Sequence, residues 1–97
     1  MAFFDFLSEL PQYAGHKDQV SRLNKRFAYL IAGFTKDISG ASVLDLGAHD
    51  GRWAYAFASA GAAKVTAIEA RADVALRFDD YPDAGLKARV SIRVQDV

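Results

Sequence analysis

The chemistry this sequence can offer rests on three carboxylates and one glycine-bearing turn. Asp45 falls near the end of the apolar run Ser42-Val-Leu-Asp-Leu46. Glu69 directly follows Lys64-Val-Thr-Ala-Ile68, and Asp96 follows Arg89-Val-Ser-Ile-Arg-Val-Gln95. Between the first run and the next helical stretch stands Gly47-Ala-His-Asp-Gly51. Its glycines permit a tight turn and a close approach of backbone to a ligand, and Asp50 is suited to cap the helix that follows. No lysine or arginine lies inside that turn, so the acids suit a ligand bearing hydroxyls, amines and positive charge rather than a pyrophosphate. Glu69, 18 residues beyond Gly51, fits the acid that grips ribose hydroxyls at the end of a second strand. A single acid at a strand end would do no more than solvate a loop, and three at matched positions indicate a binding rim. His49 is read as packing or bonding within the turn, and Trp53 and Phe57 as helix core.

The elements that position these residues alternate. Residues 3–10 form a short helix carrying Phe3, Phe6, Leu7 and Leu10, ended by Pro11, and residues 11–16 form a loop. From Lys17 to Phe34 the apolar positions Val20, Leu23, Phe27, Leu30, Ile31 and Phe34 recur at gaps of three and four, or lie adjacent, as on one face of an amphipathic helix. Residues 42–46 predict a buried strand, 52–60 a helix presenting Trp53, Phe57 and Ala60, and 64–68 a second strand. A helix over 71–81 carries Val74, Phe78 and Tyr81, then 82–85 turn, and 89–95 alternate as a strand with one wet face. Strand, helix, strand, helix, strand is the pattern of a parallel α/β sheet. Right-handed crossovers give it the order 3-2-1, with the third strand outermost and the first central and buried. The fold class is therefore α/β, a partial Rossmann-like doubly wound parallel sheet preceded by an N-terminal helical segment over 1–38. Residues 39–97 read as the first half of that domain, cut after its third strand. The bare edge of the first strand would invite strand-edge association.

Composition excludes several classes. Twelve basic residues balance twelve acidic ones, which argues against nucleic acid or an anionic membrane as partner. The absence of cysteine rules out a disulfide framework and a thiolate metal site. Two histidines thirty-three positions apart argue against a metal site as well. The longest apolar stretch, Phe27 to Ala32, is far below the ~20 residues of a membrane span. Acids in the first ten residues stand where a secretion signal carries positive charge, so the expected location is the cytoplasm.

Val43-Leu-Asp-Leu-Gly-Ala-His-Asp-Gly51, followed by Glu69 and Asp96, resembles the S-adenosylmethionine-binding half of a class I methyltransferase. That family's first motif is usually an acid followed by Gly-x-Gly-x-Gly. This chain matches at Asp45, Gly47 and Gly51 and departs at His49, where the middle glycine is commonest. The resemblance covers residues 40–97 and implies S-adenosyl-L-methionine as cofactor. Gly47, Ala48 and His49 would lie beside its amino-acid end, and Asp45 would attract its ammonium. Glu69 would accept from both ribose hydroxyls, Ala70 would lie against adenine, Asp96 would accept from the exocyclic amine, and the Val97 amide would meet the ring. The methyl acceptor and any catalytic residue are left open.

Two other readings compete. A nicotinamide-dependent oxidoreductase would also use Glu69 on a ribose, but its Gly-x-Gly-x-x-Gly fingerprint meets His49 and Arg52 at two of three glycines. A non-catalytic nucleoside-binding or interaction module would use the same rim or the open strand edge without turnover.

Overall fold

A computed structural model describes residues 1–96, and its contacts divide the chain into two units, the first ending at Phe34 and the second starting at Thr35. Val97 lies outside the described residues.

In the first unit a 3-10 helix spans Phe3–Glu9 and a second spans Pro11–Tyr13. Pro11 forces the break between them: Leu10 is extended, with φ −90° and ψ 137°, as the residue before a proline must usually be. Phe4 and Leu7 are fully buried. The expected Phe3, Phe6 and Leu10 are only partly covered, because three residues per turn aligns side chains differently from the α-helical spacing. Asn24 ties this segment to helix α1 (Lys17–Leu30), accepting the Phe4 N–H at 2.8 Å and donating to Asp5 Oδ1 at 2.9 Å. The rings of Phe3 and Phe27 stack at 4.7 Å. The single helix expected to run to Phe34 stops at Leu30, and a 3-10 turn over Ala32–Phe34 follows. Gly33, a poor helix former, sits in that turn. Val20, Leu23 and Ile31 are buried while Leu30 and Phe34 are exposed, so the predicted apolar stripe is only partly a core face.

The second unit opens with helix α2 (Thr35–Ile38), then strand β1 (Ser42–Leu46), helix α3 (Arg52–Ser59), strand β2 (Lys64–Glu69), helix α4 (Ala72–Ala75), helix α5 (Ala84–Lys87) and strand β3 (Val90–Val94). The three strands are parallel, with β2 between β1 and β3. This is the predicted 3-2-1 order. Pairing sets Asp45 beside Ala67 and Ala67 beside Ile92, and Glu69 lies two residues further along the same face. Val65 and Ala67 on that face are fully buried. The opposite face carries Leu44 and Leu46 at 61% and 53% exposure. The expectation of a central, buried first strand is thus corrected. Among the described residues β1 is an edge strand that hides one face only, because α3 and α4 both cover the side of Val65 and Ala67.

Helix α3 also turns differently from its prediction. Ala54, Tyr55, Ala56 and Ala58 are buried, and Trp53, Phe57 and Ala60 are partly exposed. Small alanines let the helix lie close to the sheet, while Tyr55 packs edge-on against Phe78 and Tyr81 with ring centres 6.2 and 5.0 Å away. The helix expected over 71–81 is α4 continued as a 3-10 segment over Leu76–Asp80. Its buried residues include the predicted Val74, Phe78 and Tyr81, with Ala75 added to them. The expected turn over 82–85 is found at Pro82 and Asp83, and its second half is the start of α5, capped by Asp83, whose Oδ1 accepts the Leu86 N–H at 3.0 Å. Tyr55 Oη accepts the Asp83 N–H at 3.0 Å.

Gly51 joins these parts. Its φ is +87°, and a Cβ there would collide with the Phe78 ring. Gly47, at φ +69°, would meet nothing within 4 Å. Gly51→Ala should therefore cost about 2–4 kcal/mol, the left-handed strain plus a forced shift of a buried ring. Gly47→Ala should cost only the strain, about 1–2 kcal/mol. Urea unfolding of both variants checks the ranking, and equal losses would contradict it.

Candidate functional site

The carboxyl ends of the parallel strands form one rim, which is where open α/β sheets bind ligands. Asp45 sits one residue before the end of β1, Glu69 ends β2, and Asp96 stands two residues beyond β3. The structure therefore brings the three predicted acids to the same edge of the sheet. Their surroundings differ sharply.

Glu69 is 4% exposed. Its Oε1 accepts the His49 N–H at 2.7 Å, and its Oε2 accepts the Arg71 N–H at 3.1 Å and the Arg71 Nε–H at 2.8 Å. The Arg71 side-chain bond, then its amide, and then the His49 amide hold the Glu69 pKa down to about 2, against the opposing effect of burial. The group stays ionised through the neutral range and acts as an acceptor of hydrogen bonds.

Asp45 is the opposite case. It is half-buried, its Oδ2 is shielded, and that oxygen accepts no hydrogen bond among the described residues. Burial pushes its pKa up. A cation placed against this oxygen would satisfy it and reverse that shift. The side chain at Asp96 and the one at Ala70 are exposed, available to a ligand lying along the rim.

The turn between β1 and α3 is fastened to β2. The Ala48 N–H donates to the Ile68 carbonyl at 2.9 Å, directly before the His49 N–H donates to Glu69. The Ala48 amide is thereby spent within the protein, and Ala48 itself is 4% exposed. Gly51, expected to admit a ligand to the backbone, instead admits Phe78. The open member of the turn is Gly47. His49 has φ +59°, a left-handed backbone that glycine adopts most readily. Histidine is among the residues that tolerate this conformation, at a cost of about 1–2 kcal/mol.

Asp50 is fully buried. It acts partly as expected, with Oδ1 accepting the Arg52 N–H at 3.3 Å while Gly51 stands at the helix boundary. The same oxygen lies 3.5 Å from Arg52 Nε and 3.3 Å from His49 Nδ1, the latter pair out of line for a hydrogen bond. Two features of the site escaped the sequence reading, the burial of Asp50 and the engagement of Arg71. Only the Glu-x-Arg spacing at the strand end hinted at the second. Among the described residues no group of three or more metal-ligating side chains converges, and no helix is long and apolar enough to cross a membrane.

The acids predict opposite pH responses. Glu69 is depressed from 4.5 to about 2, so it contributes stability above pH 4.5 that is lost as pH falls toward 2, where the unfolded chain binds the extra proton. Asp45 is raised from 3.8, so its charge opposes folding near neutrality and is relieved on acidification. Glu69→Gln should flatten the acid loss of stability below pH 4.5. Asp45→Asn should stabilise the free protein at neutral pH and steepen the decline just above pH 3.8. Chemical denaturation as a function of pH checks both signs.

Comparison with known proteins finds no family model and no curated protein sequence that matches. Among solved structures, the methyltransferase domain described as bacterial CtHen1-CN superposes with a TM-score of 0.56 at 16% identity. The match covers 75% of this chain and 40% of that one, so the chain spans less than half of that structure. At this identity the likeness is one of fold: the chain has the α/β fold seen in a methyltransferase domain.

Proposed function

We propose that the chain is the S-adenosylmethionine-binding part of a methyltransferase. One observation carries the reading: an ionised, nearly buried Glu69 stands at the end of the central strand, and an unsatisfied Asp45 oxygen lies at the end of the adjacent one. A vicinal diol suits the first and an ammonium suits the second, and the cofactor's nucleoside and amino-acid ends carry these two groups. Glu69 holds the ribose hydroxyls, and Asp45 balances the ammonium beside the open Gly47. Ala70 lies against the adenine, and Asp96 accepts from its exocyclic amine. Ala48 and His49 shape the floor of the turn, with no free donor from the Ala48 amide. The Val97 amide, assigned to the adenine ring by resemblance, lies outside the described residues.

When bound, the cofactor supplies an electrophilic methyl group on sulfonium. The chain's own share is orientation and charge complementarity, the larger part of what such a transfer asks of a protein. Glu69 accepts hydrogen bonds and does not act as a base near neutrality, because its pKa lies so low. None of the rim residues is assigned a proton-transfer role. The acids without a neighbouring base in the turn disfavour the pyrophosphate of a nicotinamide dinucleotide.

Calorimetric titration with S-adenosylmethionine, S-adenosylhomocysteine and NAD tests the reading. Either sulfur nucleoside should bind, and Glu69→Gln should weaken it by roughly 10- to 100-fold. Binding of NAD alone would overturn the proposal.

A further inference from the structure

The Glu69 carboxylate offers four acceptor positions, two on each oxygen. Three are filled: one on Oε1 by the His49 N–H, and both on Oε2 by the Arg71 N–H and Nε–H. A vicinal diol donating both hydroxyls needs two positions, and one is vacant. One existing donor must leave before the diol can be held.

The three donors differ in their freedom to leave. The His49 amide is part of a turn anchored by the neighbouring Ala48–Ile68 bond at 2.9 Å. The Arg71 amide belongs to the backbone at the boundary of α4, and withdrawing it would move the helix. Arg71 Nε sits on a flexible side chain that is 59% exposed and is the one donor that can turn into water without moving backbone. Asp73, in the first turn of the same helix, also attracts the guanidinium and favours a displaced position close by.

We infer that Arg71 sets the affinity of the rim for its ligand by occupying the diol position on Glu69, which the ligand must take from it. The inference rests on the proposed nucleoside-binding role of Glu69 and goes beyond it, because it concerns a residue outside the motif and gives its contribution a sign. Removing Arg71 should tighten binding, whereas removing an ordinary contact residue weakens it.

The effect should depend on the number of hydroxyls offered. Adenosine presents two ring hydroxyls, 2′ and 3′, and must displace Nε. 2′-Deoxyadenosine presents only the 3′ one, which the remaining Oε1 position accepts with Arg71 in place. Both probes are uncharged, so ionic strength acts on the pair rather than on the ligand. The pair is partly exposed and therefore modest in strength and screened by salt.

The test is titration of the whole chain with adenosine and with 2′-deoxyadenosine, followed by NMR chemical shifts, for wild type, Arg71→Ala and Arg71→Met. Both variants should bind adenosine roughly 2- to 10-fold more tightly than wild type and 2′-deoxyadenosine with unchanged affinity. Without any substitution, wild-type affinity for adenosine should rise between about 0.02 and about 0.5 M salt, and both variants should show no such rise. Equal or weaker adenosine binding by the variants, with wild type still binding, overturns the role of Arg71 and leaves Glu69 as the nucleoside acceptor. An absence of adenosine binding in all three proteins overturns both.

Discussion

A carboxylate withdrawn from water must be surrounded by donors, or its charge destabilises the fold. Glu69 meets that requirement at the one place where it also shapes a site. Its donors come from both crossovers of the sheet, the His49 amide in the turn after β1 and Arg71 at the start of α4. One side chain at the end of the central strand thereby fixes where the two flanking connections begin. His49, whose N–H makes the first of these bonds, has a left-handed backbone. Ala48 adds a parallel bond to Ile68. The turn is held by β2 as much as it is formed by its own glycines.

The two rim acids divide the work in opposite ways. Glu69 is over-provided with donors and Asp45 is under-provided, and the sign of each pKa shift records this. Local violations of polar pairing concentrate where a ligand completes the set. In the proposed reading, Asp45 is where the ligand's cation is received and Glu69 where its hydroxyls replace an existing donor.

How much of this was legible in the sequence depends on the kind of signal. The strands Ser42–Leu46 and Lys64–Glu69 could be read almost to the residue, since short apolar runs bounded by glycine or charged residues have sharp ends. The parallel order followed from crossover handedness. Helix faces were less legible. Trp53 and Phe57 are the largest apolar residues of α3, yet the alanines and Tyr55 take the buried face, because close packing on a sheet favours small side chains. The 3-10 segments at Phe3–Glu9 and Leu76–Asp80 have no periodicity that distinguishes them from short α-helices. Within the site, the strand-end acids were visible from position alone. The roles of Gly51 and Arg71 were hidden, because one depends on a tertiary contact with Phe78 and the other on where a flexible side chain comes to rest.

The decisive experiment is a crystal structure of the chain grown with S-adenosylhomocysteine. The ribose hydroxyls should lie on the Glu69 carboxylate, with the guanidinium of Arg71 turned away and the His49 amide still in place. A nucleoside seated elsewhere, with the Glu69–Arg71 pair intact, would contradict this placement.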